Sequence, residues 1–311
     1  MRLRNERFYK ILKNLPIPVC GVTLGLAAAG NMLKDYSTIL HWLYLTVAAV
    51  FWAALLIKLV LCWPDAKKEL INPLAFSVFE AYFMTLLQFS AAIAPYYNRA
   101  ALCLWAAANA GNFILIGLFS WRYLRAFHMA DVFTSWNVLY GGNMLAAVVA
   151  PSVHMELAGH VLFWLHFIIF LPWYPLSVYR YWKLPVAEAV RPTICILAAP
   201  FNLTLAGYLT GVAHPQLWLV LVFAVIAQLA YVFVLTRLPG ILRLPFYPSY
   251  GALTFPFVIP AVAMKKLTVY LTELGHTVPA VLNGAVLLEQ IVAVVMVTYV
   301  LMRYVMYLKK I

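Results

Sequence analysis

The sequence predicts an all-α membrane protein that crosses the bilayer ten times, and three observations predict it. Of its 311 residues 65% are hydrophobic and only 10% charged, where soluble domains run at roughly 45–50% and about 25%. Apolar runs of about 20 residues recur along the whole chain, each long enough to span some 30 Å of hydrocarbon. Lys and Arg gather in alternate connections between those runs. Together these exclude a water-soluble globule, because too few charged residues exist to solvate its outside. Ten crossings use up the chain, so a single transmembrane domain over residues 1–311 is expected, with no separate soluble domain.

The first run, residues 16–33, opens with Pro16 and Pro18. Before it lies a basic, amphipathic stretch with Arg2, Arg4, Arg7, Lys10 and Lys13 against one acid, Glu6, and with Leu3, Phe8, Ile11 and Leu12. It lacks a polar cleavage region and so does not read as a signal peptide. The second run (39–61) contains no proline. The third (73–93) begins with Pro73 and carries Glu80, and the fourth (100–118) is followed by Arg122 and Arg125. The fifth (136–150) is short and the sixth (157–182) long, with Pro172 and Pro175. Pro192 and Pro200 mark the seventh (192–212), while the eighth (217–238) is uninterrupted. The ninth (249–264) holds Pro256 and Pro260, and the tenth (281–308) holds Glu289.

Proline thus marks four of the five odd-numbered runs and, the sixth aside, spares the even ones. A proline frees a carbonyl at membrane depth, and that group needs protein or a cavity beside it rather than lipid. Five kinked inner helices, each followed by a straighter outer one, would enclose a central space. The plainer reading is that prolines are common in membrane helices generally.

Placing the basic N-terminal stretch in the cytoplasm puts all but Lys34, Arg99, Lys265 and Lys266 of the 22 Lys and Arg on that side. This predicts an even number of spans, with both termini cytoplasmic, in the cell (inner) membrane. The formal charge of +12 is then explained by topology and anionic lipid, with no need of nucleic acid.

Inside the membrane no Lys or Arg lies at the centre of a span, and the acids reduce to Glu80 and Glu289. A carboxylate there costs roughly 2.5–3.5 kcal/mol on insertion scales, so Glu80, on an odd span, is a candidate intramembrane proton site or else a structural hydrogen-bonding group. Glu289, on an even span, reads as structural. The seven histidines show no i, i+3 or i, i+4 pair, so neither haem nor a catalytic metal is expected. Cys20, Cys62, Cys103 and Cys195 read as small buried hydrophobes. No phosphate loop or paired-carboxylate arrangement is present, and no cofactor is expected. What remains is a passive conduit or a secondary carrier. An uncharged bore with a positive rim would favour anions, weakly hydrated nitrate over chloride, and its gate would be a bulky apolar side chain.

Particular stretches carry a resemblance. LPIPVCGVTLGLAA from Leu15 and YPSYGALTFPF from Tyr247 are the most telling, with Thr254-Phe255-Pro256 the most specific signal. TSWNVLYGGNMLAAVVAP from Thr134 and RPTICILAAP from Arg191 support them. Over nearly its whole length the chain resembles the tellurite-resistance and C4-dicarboxylate transporter (TDT) family of bacterial TehA and the plant slow-type anion channels.

The resemblance implies ten helices as five helical hairpins in quasi-five-fold arrangement around a central pore, in a homotrimer with one pore per copy. It also implies that Phe255 plugs the pore against Gly21, with Pro200 and Pro256 at kinks lining it. Thr23 and Thr134 stand where relatives commonly have proline, which leaves the kinks of those two spans open. The function it implies is conduction of small monovalent anions. The alternatives are a secondary transporter of C4-dicarboxylates such as malate, or a tellurite-resistance efflux protein. A membrane enzyme would need acid-base or metal groups that are absent from the sequence.

Overall fold

In lipid every backbone N–H and C=O must find its partner within the protein, which leaves helices as the economical solution for such apolar runs. The computed structural model describes residues 2–310, and all regular structure among them is helical. The side chains of Arg2, Leu3, Arg4, Arg7 and Phe8, which enter the orientation argument, lie outside the described ones. In chain order come α1 (Arg2–Asn14), α2 (Val19–Leu33), α3 (Thr38–Leu61), α4 (Trp63–Glu69), α5 (Pro73–Val78), α6 (Glu80–Ile93) and α7 (Asn98–Tyr123). The short α8 (Trp136–Gly141) and α9 (Leu145–Val149) are followed by α10 (Glu156–Phe170), α11 (Trp173–Lys183), α12 (Ala199–Gly211), α13 (Leu217–Leu242), α14 (Phe255–Glu273) and α15 (Ala280–Lys309). Eight of the helical stretches are long and apolar enough to cross a membrane, α2 and the broken segment 136–153 being shorter.

Burial divides the helices into two sets. The stretches Pro73–Ile93, Glu188–Gly211 and Pro248–Glu273 have 67–83% of their most apolar window buried. In α3, α7, the α10–α11 stretch, α13 and α15 that share is only 22–39%. Almost all of α2 is buried as well. The inner helices close on one another: α2 packs on α6, α6 on α9, α9 on α12, α12 on α14, and α14 back on α2. Each outer helix lies on the inner one before it, α3 on α2, α7 on α6, α10 on α9, α13 on α12 and α15 on α14. Their outer faces expose Ile39, Leu157, Leu229 and Val281, as a lipid-facing surface requires. Trp63, Trp121 and Trp182 are exposed at the end bearing the termini, and Tyr96, Tyr97 and Trp218 at the other, the aromatic belts of a bilayer protein.

Helix breaks do not simply follow proline. The third run breaks at Phe79, where Ser77 bonds back to Pro73 O (2.7 Å). The fifth breaks at Gly141–Gly142 into a 3-10 turn, at a place where a Cβ on Gly142 would sit 2.7 Å from the sulfur of Met84. In the seventh and ninth, 3-10 segments Glu188–Ala198 and Pro248–Leu253 precede α12 and α14. Pro200 and Pro256 therefore open α-helices, where proline costs nothing, instead of kinking them midway. The ninth helix does not stop at Met264. It runs through Lys265 and Lys266 to a Schellman closure, with Gly275 at φ +81° and His276 N bonding to Leu271 O (3.0 Å).

Three cysteines are buried, whereas Cys103 is exposed on the outer face of α7, contrary to the sequence reading. At the termini end the fully buried Lys58 donates to Leu15 O (2.5 Å) and pairs with Glu69, whose other oxygen accepts from Ile17 N (2.9 Å). This clamp ties α3 and α4 to the turn into α2. Breaking a buried pair costs about 3–5 kcal/mol, and the one-third exposure of Glu69 reduces it. Lys58→Met is expected to lower unfolding stability by on the order of 2 kcal/mol, read from thermal unfolding in detergent; a wild-type midpoint would show that the clamp contributes nothing.

Candidate functional site

Two glycines in α2 and one before α14 allow two inner segments to touch through their backbones. A Cβ on Gly21 would lie 2.8 Å from Gly251 O, and one on Gly25 would lie 2.3 Å from the Thr254 Cβ and 3.0 Å from Phe255 N. Thr254 leaves helical geometry, at φ −108° and ψ −88°. Its hydroxyl stands 2.6 Å from Gly21 O and 2.7 Å from Gly251 O, two acceptors between which its single proton is shared. The new α-helix starts at the next residue, Phe255.

That residue separates two cavities. The one on the termini side is lined by all five inner segments, among them Pro18, Leu74, Asn137, Thr193 and Ser249 at its outer end and Leu24, Met84, Leu203, Phe255 and Pro256 at its inner end. Its volume is about 50 Å³. No ionisable side chain lines it among the described residues. The far cavity, about 320 Å³, lies between α2, α6, α9 and α14, and its walls include Asn31, Gln88, Val148, Val258 and Ile259, with Asp35, Lys265 and Lys266 toward the surface. Phe255, itself 5% exposed, is the one described residue common to both linings.

The residues singled out from sequence fall as follows. Phe255, Gly21, Pro200 and Pro256 all line the termini-side cavity. The close neighbour of Gly21 is the Gly251 backbone, and Gly25 is the glycine nearest Phe255 N. Glu80 is not brought to the site. It is fully buried and absent from both linings, whereas its neighbours Ala81 and Met84 line the termini-side cavity. Neither of its oxygens has a hydrogen-bond partner, and beside it lies Asn112 of α7, with its own Oδ1 unpartnered. Glu289 is also buried, beside Gln228 of α13.

Thr23 lies within the unbroken α2, its hydroxyl donating to Cys20 O (2.8 Å), and Thr134 ties the fifth segment to the seventh through Thr193 O (2.7 Å). Sequence reasoning missed Gly25, the Thr254 hydroxyl and the two lysines on the wall of α14. The spacing of Val258, Ile259, Val262, Lys265 and Lys266 was the available signal for the last, since it continues one helical face. It also missed a neutral polar seam between inner and outer helices. Asn143 Nδ2 donates to Asn109 Oδ1 (2.8 Å) and faces His166 Nε2 (3.2 Å), while His166 Nδ1 bonds to Tyr140 O (2.9 Å). Among the described residues no group of three His, Cys, Asp or Glu could hold a metal ion.

The profile of the SLAC1 family, voltage-dependent anion channels, matches residues 14–305. No curated protein matches the chain.

Gly25→Ala is expected to destabilise the protein by about 1–3 kcal/mol through overpacking against Thr254. Gly117→Ala, where a Cβ meets nothing within 4 Å, should instead stabilise α7 by up to about 1 kcal/mol. Thermal unfolding of the purified variants distinguishes them; equal effects would mean that the backbone contact is not tight.

Proposed function

From the premise that this chain belongs to the SLAC1 family of voltage-dependent anion channels, we propose that it conducts small monovalent anions, nitrate and chloride, through a pore occluded by Phe255. The family carries anion transport across membranes in general. The finer reading rests on one observation, the position of Phe255 between two cavities that otherwise share no lining residue. A phenyl ring in a narrow apolar passage excludes ions by filling and dewetting it.

The choice of ion follows from the walls. Without fixed charge in the inner passage, an ion enters at the cost of its hydration shell, so weakly hydrated anions pass most readily. The first turns of α12 and α14 line the passage near Phe255, and the positive ends of their dipoles favour an anion over a cation. A C4-dicarboxylate carrier fits less well, because a divalent anion calls for more compensating charge than the termini-side passage offers. The closed ring of inner helices, each backed by its outer neighbour, supports a ten-helix, quasi-five-fold arrangement. A homotrimer with both termini cytoplasmic in the inner membrane completes the proposal, following the family resemblance and the basic residues at the termini end.

Phe255→Ala is expected to raise anion current several-fold in voltage-clamped cells or planar bilayers, with nitrate carried at least as well as chloride. Currents equal to wild type would remove the gate. Glu80→Gln should leave conductance and its pH dependence unchanged, as suits a carboxyl outside both cavities; loss of pH-dependent accumulation against a gradient would instead make Glu80 a proton site and the protein a carrier.

A further inference from the structure

The far cavity carries fixed charge on the same helix that begins with Phe255. Val258, Ile259, Val262, Lys265 and Lys266 line it at positions that share one face of α14. Lys265 is committed: its ammonium is 2.6 Å from Asp35 and 5.5 Å from the centre of the Tyr36 ring. Lys266 has no acid within ion-pairing distance among the described residues. With Asp35 the one carboxylate on the wall, the cavity carries one net positive charge.

Deeper in the cavity, Asn31 Nδ2 donates to the Gln88 main-chain carbonyl (2.9 Å) and to Gln88 Oε1 (2.7 Å). A main-chain oxygen only accepts, so the Asn31 atom is its nitrogen and the Gln88 atom it reaches is the oxygen. Among the described residues, the Gln88 Nε2 is thereby left with two N–H donors that have no protein partner, on a side chain that lines the cavity. One unpaired ammonium, one free amide donor and otherwise apolar walls form a receptor for a single negative charge.

We propose that the far cavity binds one monovalent anion between Lys266 and Gln88, a waiting site on the far side of Phe255 that prefers nitrate to a dicarboxylate. The proposal rests on reading the two cavities as parts of one conduction path, and it makes Lys266 and Gln88 specificity-determining residues for that path.

The test is an equilibrium titration of the detergent-purified protein, with the thermal midpoint read against sodium nitrate at ionic strength held constant with sodium gluconate. Nitrate is expected to raise the wild-type midpoint saturably. Lys266→Gln should weaken the apparent affinity about tenfold, Lys266→Arg should retain it, and Gln88→Leu should weaken it several-fold. Asp35→Asn, which frees Lys265, should strengthen it. Malate at equal concentration should not displace nitrate. A wild-type response that Lys266→Gln leaves unchanged, a response no larger than that to gluconate, or tighter binding of malate would each overturn the site. Because the titration needs no current, it fails separately from the gate: unchanged currents in Phe255→Ala with saturable nitrate binding would sink the gate alone.

Discussion

The architecture depends on a backbone-to-backbone contact between α2 and the segment that leads into α14. Peptide groups at membrane depth cannot remain unpaired, and the 3-10 turn before Phe255 gives up regular α-helical bonding where α2 runs alongside it. Glycine on both sides brings the chains close enough for the Thr254 hydroxyl to stand 2.6 Å from Gly21 O. Once that contact is fixed, the first turn of α14 is fixed with it, and Phe255 stands between the two cavities. The same arrangement explains why prolines gather here: at the first turn of an α-helix the missing N–H has no partner to lose.

The inner helices solve a second problem, that of polar groups without charge. Asn109, Asn143 and His166 bond to one another and to the Tyr140 carbonyl around the 3-10 turn at Gly142–Met144, with Asn143 Oδ1 left without a partner. They do so in neutral form, where an ion would carry a large desolvation cost. Among the described residues, charge pairing with a fully buried partner is that of Lys58 and Glu69 at the termini end, where Glu69 still reaches solvent.

Much of the fold was legible in the sequence, because hydropathy over twenty residues is a bulk property that local packing does not change. The long outer helices appear within a few residues of their apolar runs. Helix breaks were not legible to the same degree. At Gly141 and Gly142 a Cβ would meet Phe170 and Met84, and such contacts exist only after folding. The direction of Glu80 was not legible either, since tertiary packing alone settles which face of the third run meets the cavity. Lys265 and Lys266 fell past the expected end of the ninth run because charge ends a hydropathy window without ending a helix. At the site, Phe255 was singled out by its motif, whereas Gly25 and the Thr254 hydroxyl act through a tertiary contact that spacing along the chain does not reveal.

The two cavities differ about sixfold in volume, roughly 320 Å³ against 50 Å³. For the conduction proposed above, this inequality would let an ion in the wider cavity keep part of its water until it meets Phe255, whereas the narrow one would require it to shed that water on entering.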